Sequence, residues 1–283
     1  MANIVVRLEK VNWFYDHAKT YSIKNISLEI EEGSFVAVLG GNGSGKTTFC
    51  RLLNGLIPHS LSGKFTGRVI VDGIDTKTSS PARLAEKVGM AFDETESQIF
   101  TAKVFDEVAF ALENMLLPAD LIKQKVYWAL QAVGLSEYAD FAPADLSGGQ
   151  KKRLAIAAAL AMAGKVLVLD DPVSQLDPFA VAEIVSLAND LRKKAGLTVI
   201  MTAVCGSDAA GFADKICVLK NGNLAAFDTP EKIFADRDLL ENCSVQGPQV
   251  SEFALCMADK GRPLPKFPVS LQEAEEAVIE WYV

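Results

Sequence analysis

The sequence predicts an α/β protein whose core is a mainly parallel sheet with antiparallel strands near its start. Short apolar runs, typical of buried strands, alternate with helical segments. A glycine-rich loop, Gly40 to Thr47, stands between one such run and a helix. The stretch from Val104 to about Gly134 has helical periodicity and no strand pattern, which indicates an inserted helical unit.

Composition limits the classes of protein to which the chain can belong. The net charge of -8 over 283 residues argues against a general nucleic-acid binder, so we expect no nucleic-acid partner. The longest apolar run, Leu154 to Ala163, is shorter than the ~20 residues of a membrane-spanning helix. Residues 1–7 show no secretory signal. Five cysteines without a C-x-x-C pair indicate free thiols, a reduced compartment and no cysteine metal site.

The predicted elements follow from local periodicity and capping residues. Early strands cover Ile4 to Val11, with Trp13-Phe14-Tyr15 just past its end, and Ile26 to Ile30. The predicted helices are Thr47 to Leu56, one from Pro81 with Ser80 as N-cap, one from Leu146 through Ala163, and Pro178 to Lys194. The other predicted strands are Phe35 to Leu39, Arg68 to Val71, Val88 to Phe92, Val166 to Leu169, Leu197 to Ala203, and a hairpin of Ile216 to Leu219 with Leu224 to Phe227.

Composition shifts again at about Asp236, and the remaining residues predict a small helical appendage. The apolar face of its first helix is predicted to carry Val250, Phe253, Ala254 and Met257. After a proline-containing link, Ser270 and Glu273 predict a capping box for a final helix. That helix is predicted to carry Leu271, Ala274 and Val278.

The glycine-rich loop fits the phosphate-binding pattern G-x-x-x-x-G-K-[ST] between a buried strand and a helix. Its residues are Gly40, Gly41, Asn42, Gly43, Ser44, Gly45, Lys46 and Thr47, followed by Thr48. Glycines let successive amides point at phosphate oxygens, and the helix adds its positive end. We expect Lys46 to reach the β- and γ-phosphates and Thr47 to ligate Mg²⁺. The loop therefore predicts binding of a nucleoside triphosphate; the alternative is a structural turn that matches by chance.

Two further stretches extend this prediction. Asp170 ends a buried strand, where the second Mg²⁺-binding carboxylate of such proteins lies. The run Leu146-Ser147-Gly148-Gly149-Gln150 combines a hydroxyl, two glycines and a helix start, which makes a second anion-binding surface. One nucleotide does not need two phosphate cradles on one protomer. We therefore predict that the second cradle covers a nucleotide held by another subunit.

Together these motifs resemble the nucleotide-binding subunits of ABC transporters over roughly residues 4–235. The similar motifs are Walker A at Gly40 to Thr47, the signature at Leu146 to Gln150, Walker B at Val166 to Asp171, the D-loop at Ser174 to Asp177, and the adenine-stacking aromatic at Tyr15. The features that resemble the energy-coupling factor branch, which imports vitamins and trace metal ions into prokaryotes, are Gln98-Ile99-Phe100, the glutamate-rich stretch after Phe105 and the proline-linked helical tail.

The resemblance implies a P-loop NTPase core of the ABC type at residues 1–235, with a helical subdomain at about 93–150 and a C-terminal extension at 236–283. It implies ATP and Mg²⁺ as cofactors. It also implies a head-to-tail dimer in which each ATP lies between one Walker A motif and the opposite signature motif. Membrane subunits are expected to dock near Asp93 to Asn114, at the cytoplasmic face of the cell membrane.

Three positions depart from the family's pattern. The family has Glu after the Walker B Asp to polarise the attacking water, and this chain has Asp171. It has a Mg²⁺-contacting Gln after the strand ending at Phe92, and a His after the strand Thr198 to Thr202; this chain has Asp93 and Ala203. Because in-line attack depends on placement, a carboxylate one methylene shorter can slow the reaction by ~10²-fold.

These departures favour one half of a heterodimer. Its own site would bind ATP through Lys46 and hydrolyse it poorly, while its signature motif would complete a site on a partner subunit. One alternative is a symmetric homodimer with slow hydrolysis, in which the substitutions are family drift. Another is an ABC protein that acts as a nucleotide-gated interaction module without a transporter. Whether the chain is itself a competent ATPase stays open, and the transported solute is not identified.

Overall fold

The computed structural model of the chain describes residues 3–282. Its strands are β1 (Ile4–Tyr15), β2 (Ile23–Glu31), β3 (Phe35–Leu39), β4 (Gly63–Val71), β5 (Ile74–Asp75), β6 (Val88–Ala91), β7 (Val166–Leu169), β8 (Thr198–Ala203), β9 (Lys215–Lys220) and β10 (Asn223–Asp228). Its helices are α1 (Lys46–Leu53), α2 (Leu56–His59), α3 (Pro81–Ala85), α4 (Thr95–Gln98), α5 (Val104–Asn114), α6 (Ala119–Ala132), α7 (Gly148–Met162), α8 (Pro178–Ala195), α9 (Pro230–Ala235), α10 (Arg237–Cys243), α11 (Gln249–Asp259) and α12 (Leu271–Tyr282). Short 3₁₀ turns occur at Ser136–Tyr138, Pro143–Asp145 and Gly206–Asp208.

The strands form two sheets, and the predicted fold class is confirmed. Within residues 3–282, the larger sheet has the order β10-β9-β3-β8-β7-β6 and is parallel except for β10. The smaller sheet has the order β2-β1-β4-β5 and is antiparallel throughout. The antiparallel strands near the start therefore build a sheet of their own, which the prediction had described as a portion of the parallel sheet.

The larger sheet lies between two hydrophobic cores. Along β3, Phe35, Ala37 and Leu39 belong to the core that also contains α5, α6, α7 and α8. The alternate residues Val36 and Val38 belong to the core formed with α1 and the smaller sheet. Because both faces are covered, β3 and β7 are continuous apolar runs, and β8 is buried along its whole length. That burial explains why β3, β7 and β8 were recognisable from the sequence.

A helical unit occupies the chain between β6 and β7, as predicted. It consists of α4, α5, α6 and α7 with two 3₁₀ turns, and the described residues include no strand there. Its helices pack against one another, and α7 also contacts β6. Over residues 3–282, no helix combines the length and the apolar character that crossing a bilayer would require.

The first strand is longer than its alternation predicted. Trp13, Phe14 and Tyr15 lie inside β1 and not past its end. Trp13 is fully buried, and it pairs with Ile23 of β2 and with Phe65 of β4. A shift in register after Glu9 interrupts the simple alternation, so the sequence pattern breaks before the strand does.

The residues after 236 pack on the main core through only part of the predicted faces. Phe253 and Leu271 are largely exposed, and the residues that α11 and α12 bury are small: Ser251, Ala254, Ala274 and Ala277. Small side chains allow close contact, which hydrophobicity alone does not reveal. The predicted cap at Ser270 and Glu273 is confirmed, since Ser270 Oγ accepts from the Glu273 amide at 3.3 Å and the Glu273 carboxylate accepts from the Val269 amide at 2.9 Å.

Candidate nucleotide-binding site

The candidate site lies where several parallel strands end. The Gly40–Thr47 loop follows β3, Asp93 closely follows β6, and Asp170 with Asp171 follows β7. In sheets of this kind, the carboxyl ends of the strands form the ligand crevice. The loops enclose a cavity of about 270 Å³ lined by Ser22, Asn42, Gly43, Ser44, Gly45, Lys46, Thr47, Thr48, Asp93, Asp170 and Asp171.

The loop needs glycine at two points for steric reasons. Gly45 has φ +110°, and a Cβ there would lie 2.5 Å from the Ser22 carbonyl oxygen. A Cβ at Gly40 would lie 2.4 Å from the Leu219 carbonyl oxygen. The close approach lets the loop turn directly into α1, whose first amides have no intrahelical partner. The result is the anion-binding end of a helix that faces the cavity.

Lys46 closes over its own loop. Its Nζ donates to the carbonyl oxygens of Gly40, at 2.7 Å, and Gly41, at 3.2 Å. Burial lowers the pKa of Lys46, and the nearby carboxylates of Asp171 and Asp170 oppose that shift. The ammonium group therefore stands at the mouth of the phosphate loop, with two carboxylates within electrostatic range.

Asp170 has the geometry of a cation ligand. Its Oδ1 accepts a hydrogen bond from Thr202 Oγ1 at 2.8 Å. Burial raises the pKa of Asp170, and hydrogen bonds from Thr202 and Thr47 partly counter the rise. Its Oδ2 is buried and has no hydrogen-bond partner among the described residues. A buried, unsatisfied carboxylate oxygen is costly unless something binds it.

This donor set fits Mg²⁺. The ion takes oxygen ligands, and at nucleotide sites it uses one or two carboxylates together with the substrate's phosphates. Asp170 supplies the unsatisfied oxygen and Thr47 the neighbouring hydroxyl. The described residues contain no group of three His, Cys, Asp or Glu side chains able to hold a metal alone. Phosphate oxygens would have to complete the coordination.

Asp171 and Asp93 lie on the wall of the same cavity. Asp171 has φ +47°, and its amide donates to Thr202 Oγ1 at 2.8 Å. Burial raises the pKa of Asp171, while Lys152 and Lys46 lower it. Asp93 is exposed. Three aspartates, Asp93, Asp170 and Asp171, therefore line the same cavity as the phosphate loop.

Tyr15 lies beside the loop and not among the residues that line the cavity. Its hydroxyl is 3.2 Å from Thr48 Oγ1, and its ring stands edge-on to Trp13 with centroids 5.4 Å apart. Both contacts hold Tyr15 next to the start of α1. The predicted contact with a base stays a prediction.

The Leu146–Gln150 stretch faces a different cavity. Ser147, Gly148, Gly149 and Gln150 line a space of about 590 Å³ that the phosphate loop does not share. Ser147 caps α7 reciprocally with Gln150: its Oγ accepts from the Gln150 amide at 3.3 Å, and its amide donates to Gln150 Oε1 at 2.8 Å. The Leu146 side chain is buried in the core, so it supports this cradle and does not line it.

The strand β8 ends at Ala203, which agrees with the predicted strand of Leu197 to Ala203, so Ala203 lies within the strand and not after it. Ala203 is fully buried and pairs with Leu39 of β3. The residue beyond the strand, Val204, is 42% exposed. Neither residue is a histidine, and the match of Ala203 to the family's His stays a prediction.

Two residues that position the groups of the site, and do not line its cavity, were missed by the sequence analysis. Thr202 joins the two acidic residues, since it donates to Asp170 and accepts from the Asp171 amide. A polar residue near the end of an apolar strand was the available signal. Lys152 contacts Asp93, Asp171 and Ser174 from the start of α7. No sequence spacing indicates that contact.

Comparison with protein families decides the assignment. Residues 23–174 match the family model described as ABC transporter. The chain belongs to the ABC transporter family. A putative ABC transporter ATP-binding protein of Pyrococcus abyssi is 41% identical over 244 residues, which are 86% of this chain and 87% of the relative. The energy-coupling factor transporter ATP-binding protein EcfA1 of Symbiobacterium thermophilum is 36% identical over 291 residues, covering 100% of this chain and 99% of the relative.

Solved structures agree with this assignment to the ABC family. The structure of cbiO1 from Clostridium perfringens, described as part of the ABC transporter complex cbiONQ, has a TM-score of 0.74 and 33% identity, covering 84% of this chain and 94% of that one. A dimeric post-hydrolysis state of the ATP-binding cassette MJ0796, bound to ADP and Pi, has a TM-score of 0.69 and 27% identity, covering 80% and 98%. The resemblance to the ABC family and to its energy-coupling factor branch is confirmed.

Proposed function

We propose that this ABC protein is the ATP-binding subunit of an energy-coupling-factor-type importer for a vitamin or trace metal ion. It works as one half of a heterodimer, its own site binds Mg·ATP and hydrolyses it poorly, and its signature motif completes the partner's site. The observation that carries the proposal is the division of the two cradles. The phosphate loop meets three carboxylates in one cavity, and the signature motif lines another.

The roles of the residues follow from their positions. Lys46 and the loop amides bind phosphate, while Thr47 and Asp170 hold Mg²⁺, which screens phosphate charge when bound. Tyr15 contacts the base. The Ser147 hydroxyl accepts from the Gln150 amide and keeps its own proton to donate to the γ-phosphate of a partner's nucleotide. The dimeric relative bound to ADP and Pi supports this assembly.

Hydrolysis is expected to be weak because the residues around the phosphate loop are poorly suited to activate water or to contact the γ-phosphate. Asp171 is the nearest candidate for polarising water, and its shorter side chain leaves the carboxylate farther from an attack position than glutamate would. Of the chain's two histidines, His59 binds the Thr76 carbonyl oxygen at 2.8 Å, and Ala203 stands where the family's pattern has its His. ATP bound at this site therefore serves mainly to stabilise the closed dimer, and this chain's own site hydrolyses it slowly.

A membrane partner is supported by the surface of the helical unit. Phe100 and Phe110 are 63% and 43% exposed, and their rings form an edge-on pair with centroids 4.7 Å apart. Both aromatics belong to the segment next to Asp93, and exposed aromatic clusters mark interaction sites. We propose that membrane subunits dock at Asp93 to Asn114, which places the chain peripherally at the cytoplasmic face of the membrane. The cbiO1 relative is described as part of the ABC transporter complex cbiONQ.

The first experiment measures ATP binding and hydrolysis by the purified chain alone. The proposal predicts saturable Mg·ATP binding together with a single-turnover rate that Asp171→Asn changes by less than about threefold. The slow rate is expected because the chain lacks the partner's signature motif as well as a well-placed base. Brisk turnover that Asp171→Asn abolishes would contradict the degenerate site and favour the homodimeric ATPase.

Affinity purification from detergent-solubilised membranes tests the transport role. A tagged chain is expected to retain integral membrane proteins and a second ABC subunit that carries Glu and His where this chain has Asp171 and Ala203. Retention of soluble proteins alone would favour the interaction module without a transporter.

A further inference from the structure

Lys152 contacts three separate loops of the nucleotide site. Its Nζ donates to the main-chain oxygen of Asp93 at 3.2 Å, to Ser174 Oγ at 3.1 Å and to the main-chain oxygen of Asp171 at 3.5 Å. A lysine ammonium group has three donors, so all of them are engaged. The side chain is half-buried, and burial lowers the pKa of Lys152 against the opposing charges of Asp171 and Asp93.

These contacts connect parts of the molecule that are distant in sequence. Asp93 opens the helical unit, Asp171 follows β7 and Ser174 precedes α8, while Lys152 itself lies in the first turns of α7. That helix begins at the signature motif. We propose that Lys152 is a positioning residue that couples the occupancy of the chain's own nucleotide site to the orientation of the signature end of α7. The proposal rests on the proposed function, in which Mg·ATP occupies the site.

The coupling has a direct physical path. Asp93 and Asp171 line the phosphate cavity, and the main-chain oxygens of the same two residues accept from Lys152. When a cation and phosphates reorganise these acidic residues, their carbonyl groups move with them. The ammonium group follows, because an unpaired charge in a half-buried position is unfavourable. The start of α7 therefore responds to the nucleotide.

Removing the ammonium group leaves the loops intact. The Asp93 oxygen also accepts from the Thr95 amide at 3.1 Å. The Asp171 oxygen also accepts from the Ser174 amide at 3.3 Å and from Ser174 Oγ at 3.1 Å. No main-chain acceptor is orphaned by the loss of Lys152, so Lys152→Met is expected to fold.

The chain offers a matched control in Lys125. This lysine also donates to a main-chain oxygen of α7, that of Ala161 at 3.1 Å, but at the opposite end of the helix. Lys125→Met removes the same group from the same helical unit without touching the nucleotide loops. Lys152→Arg keeps the positive charge, so it tests whether a charge at this position is enough to preserve the response of α7 to nucleotide.

The experiment is hydrogen–deuterium exchange at residues 147–152 of the full chain, with and without Mg²⁺ and a non-hydrolysable ATP analogue, under monomeric conditions. Wild type, Lys152→Arg and Lys125→Met are expected to show the nucleotide-dependent change in exchange rate. In Lys152→Met this nucleotide-dependent change is expected to be smaller by about fivefold or more, which is the scale of a coupling between sites. The affinity of Lys152→Met for the analogue, and its exchange rate without nucleotide, are expected to stay near those of the wild type.

An undiminished change in Lys152→Met, or no change in a wild-type chain that binds the analogue, would overturn the coupling and leave the proposed function intact. Loss of analogue binding or of the fold in Lys152→Met would show a structural role and also overturn it. Failure of the wild type to bind the analogue would overturn both proposals. Brisk hydrolysis of ATP would overturn only the degenerate site, because the analogue experiment does not involve turnover.

Discussion

At the scale of single residues, Thr202 organises the acidic end of the site. Its hydroxyl donates to Asp170 Oδ1 and accepts from the Asp171 amide, both at 2.8 Å. One bond orients Asp170 so that Oδ2 remains for a cation, and the other holds Asp171 in its left-handed conformation. Thr202 thus sets the geometry of both aspartates without lining the cavity itself.

Thr202→Val should weaken Mg²⁺-dependent ATP binding. The substitution removes both hydrogen bonds and keeps the shape of the side chain, and leaving buried partners unsatisfied costs about 1–3 kcal/mol. A titration of ATP affinity against Mg²⁺ concentration measures the effect, and ATP binding without Mg²⁺ should change much less. The matched control is Thr198→Val on the same strand, where Thr198 Oγ1 accepts from the Gly33 amide at 2.9 Å, far from the phosphate loop. Equal losses of Mg²⁺-dependent affinity in both variants would contradict this role.

The affinity for Mg²⁺ should also depend on pH. Burial raises the pKa of Asp170, and Mg²⁺ binds only its ionised form. The affinity is therefore highest above that raised pKa and falls as the pH drops through it, at a higher pH than for an exposed aspartate. Thr202→Val removes a hydrogen bond to the ionised form, so the fall should begin at a higher pH still. If the Mg²⁺ affinity fell at the same midpoint pH in the wild type and in Thr202→Val, Asp170 would not be the titrating group.

At the scale of elements, the C-terminal helices are tied to the loop that follows β8. The Gly206 amide donates to the Gln246 carbonyl oxygen at 2.8 Å, and Cys205 pairs with Gln246 in a short bridge. Leu240 and Val245 enter the main hydrophobic core. The residues after 236 therefore brace a loop at the nucleotide edge of the sheet.

Gly206→Ala should destabilise the protein by about 1–3 kcal/mol, as overpacking does. A Cβ there would lie 2.6 Å from the Phe234 ring and 2.7 Å from the Gln246 oxygen, so the bridge would have to separate. Urea unfolding measures the change. The control is Gly211→Ala, where the nearest atom to a Cβ is Ser270 Cβ at 3.5 Å, an ordinary contact, and a change below about 0.5 kcal/mol is expected. Wild-type stability in Gly206→Ala would show that the bridge is not a firm contact.

The elements also show what the sequence could predict. The phosphate loop, the strands β3 and β7 and the capped start of α7 depend on neighbouring residues, so local patterns revealed them. The contacts of Lys152 with Asp93 and of Thr202 with Asp170 join residues 59 and 32 positions apart. They depend on the order of strands in the sheet, which no local pattern specifies. For the same reason, Ser251 and Ala277, which α11 and α12 also bury, were absent from the predicted faces.

At the scale of the whole molecule, the proposed function combines an ATP-binding site of modified chemistry with a signature motif that lines a separate cavity. Gly148 gives a clean probe of that motif, because a Cβ at this position would meet nothing within 4 Å. An acidic residue in the first turn of a helix is also favourable for stability. Gly148→Asp therefore alters the charge presented to a partner's phosphate without disturbing this chain's fold.

The most direct test compares Gly148→Asp with Asp171→Asn in the transporter complex purified through a tagged chain. The account predicts that Gly148→Asp lowers ATP turnover of the complex by ~10²-fold or more, the scale of losing transition-state contacts to phosphate. Asp171→Asn should change turnover by less than about threefold, and Gly148→Ala, which adds no charge, should retain most of it. Equal, large losses in Gly148→Asp and Asp171→Asn would contradict the account and show that this chain hydrolyses its own ATP.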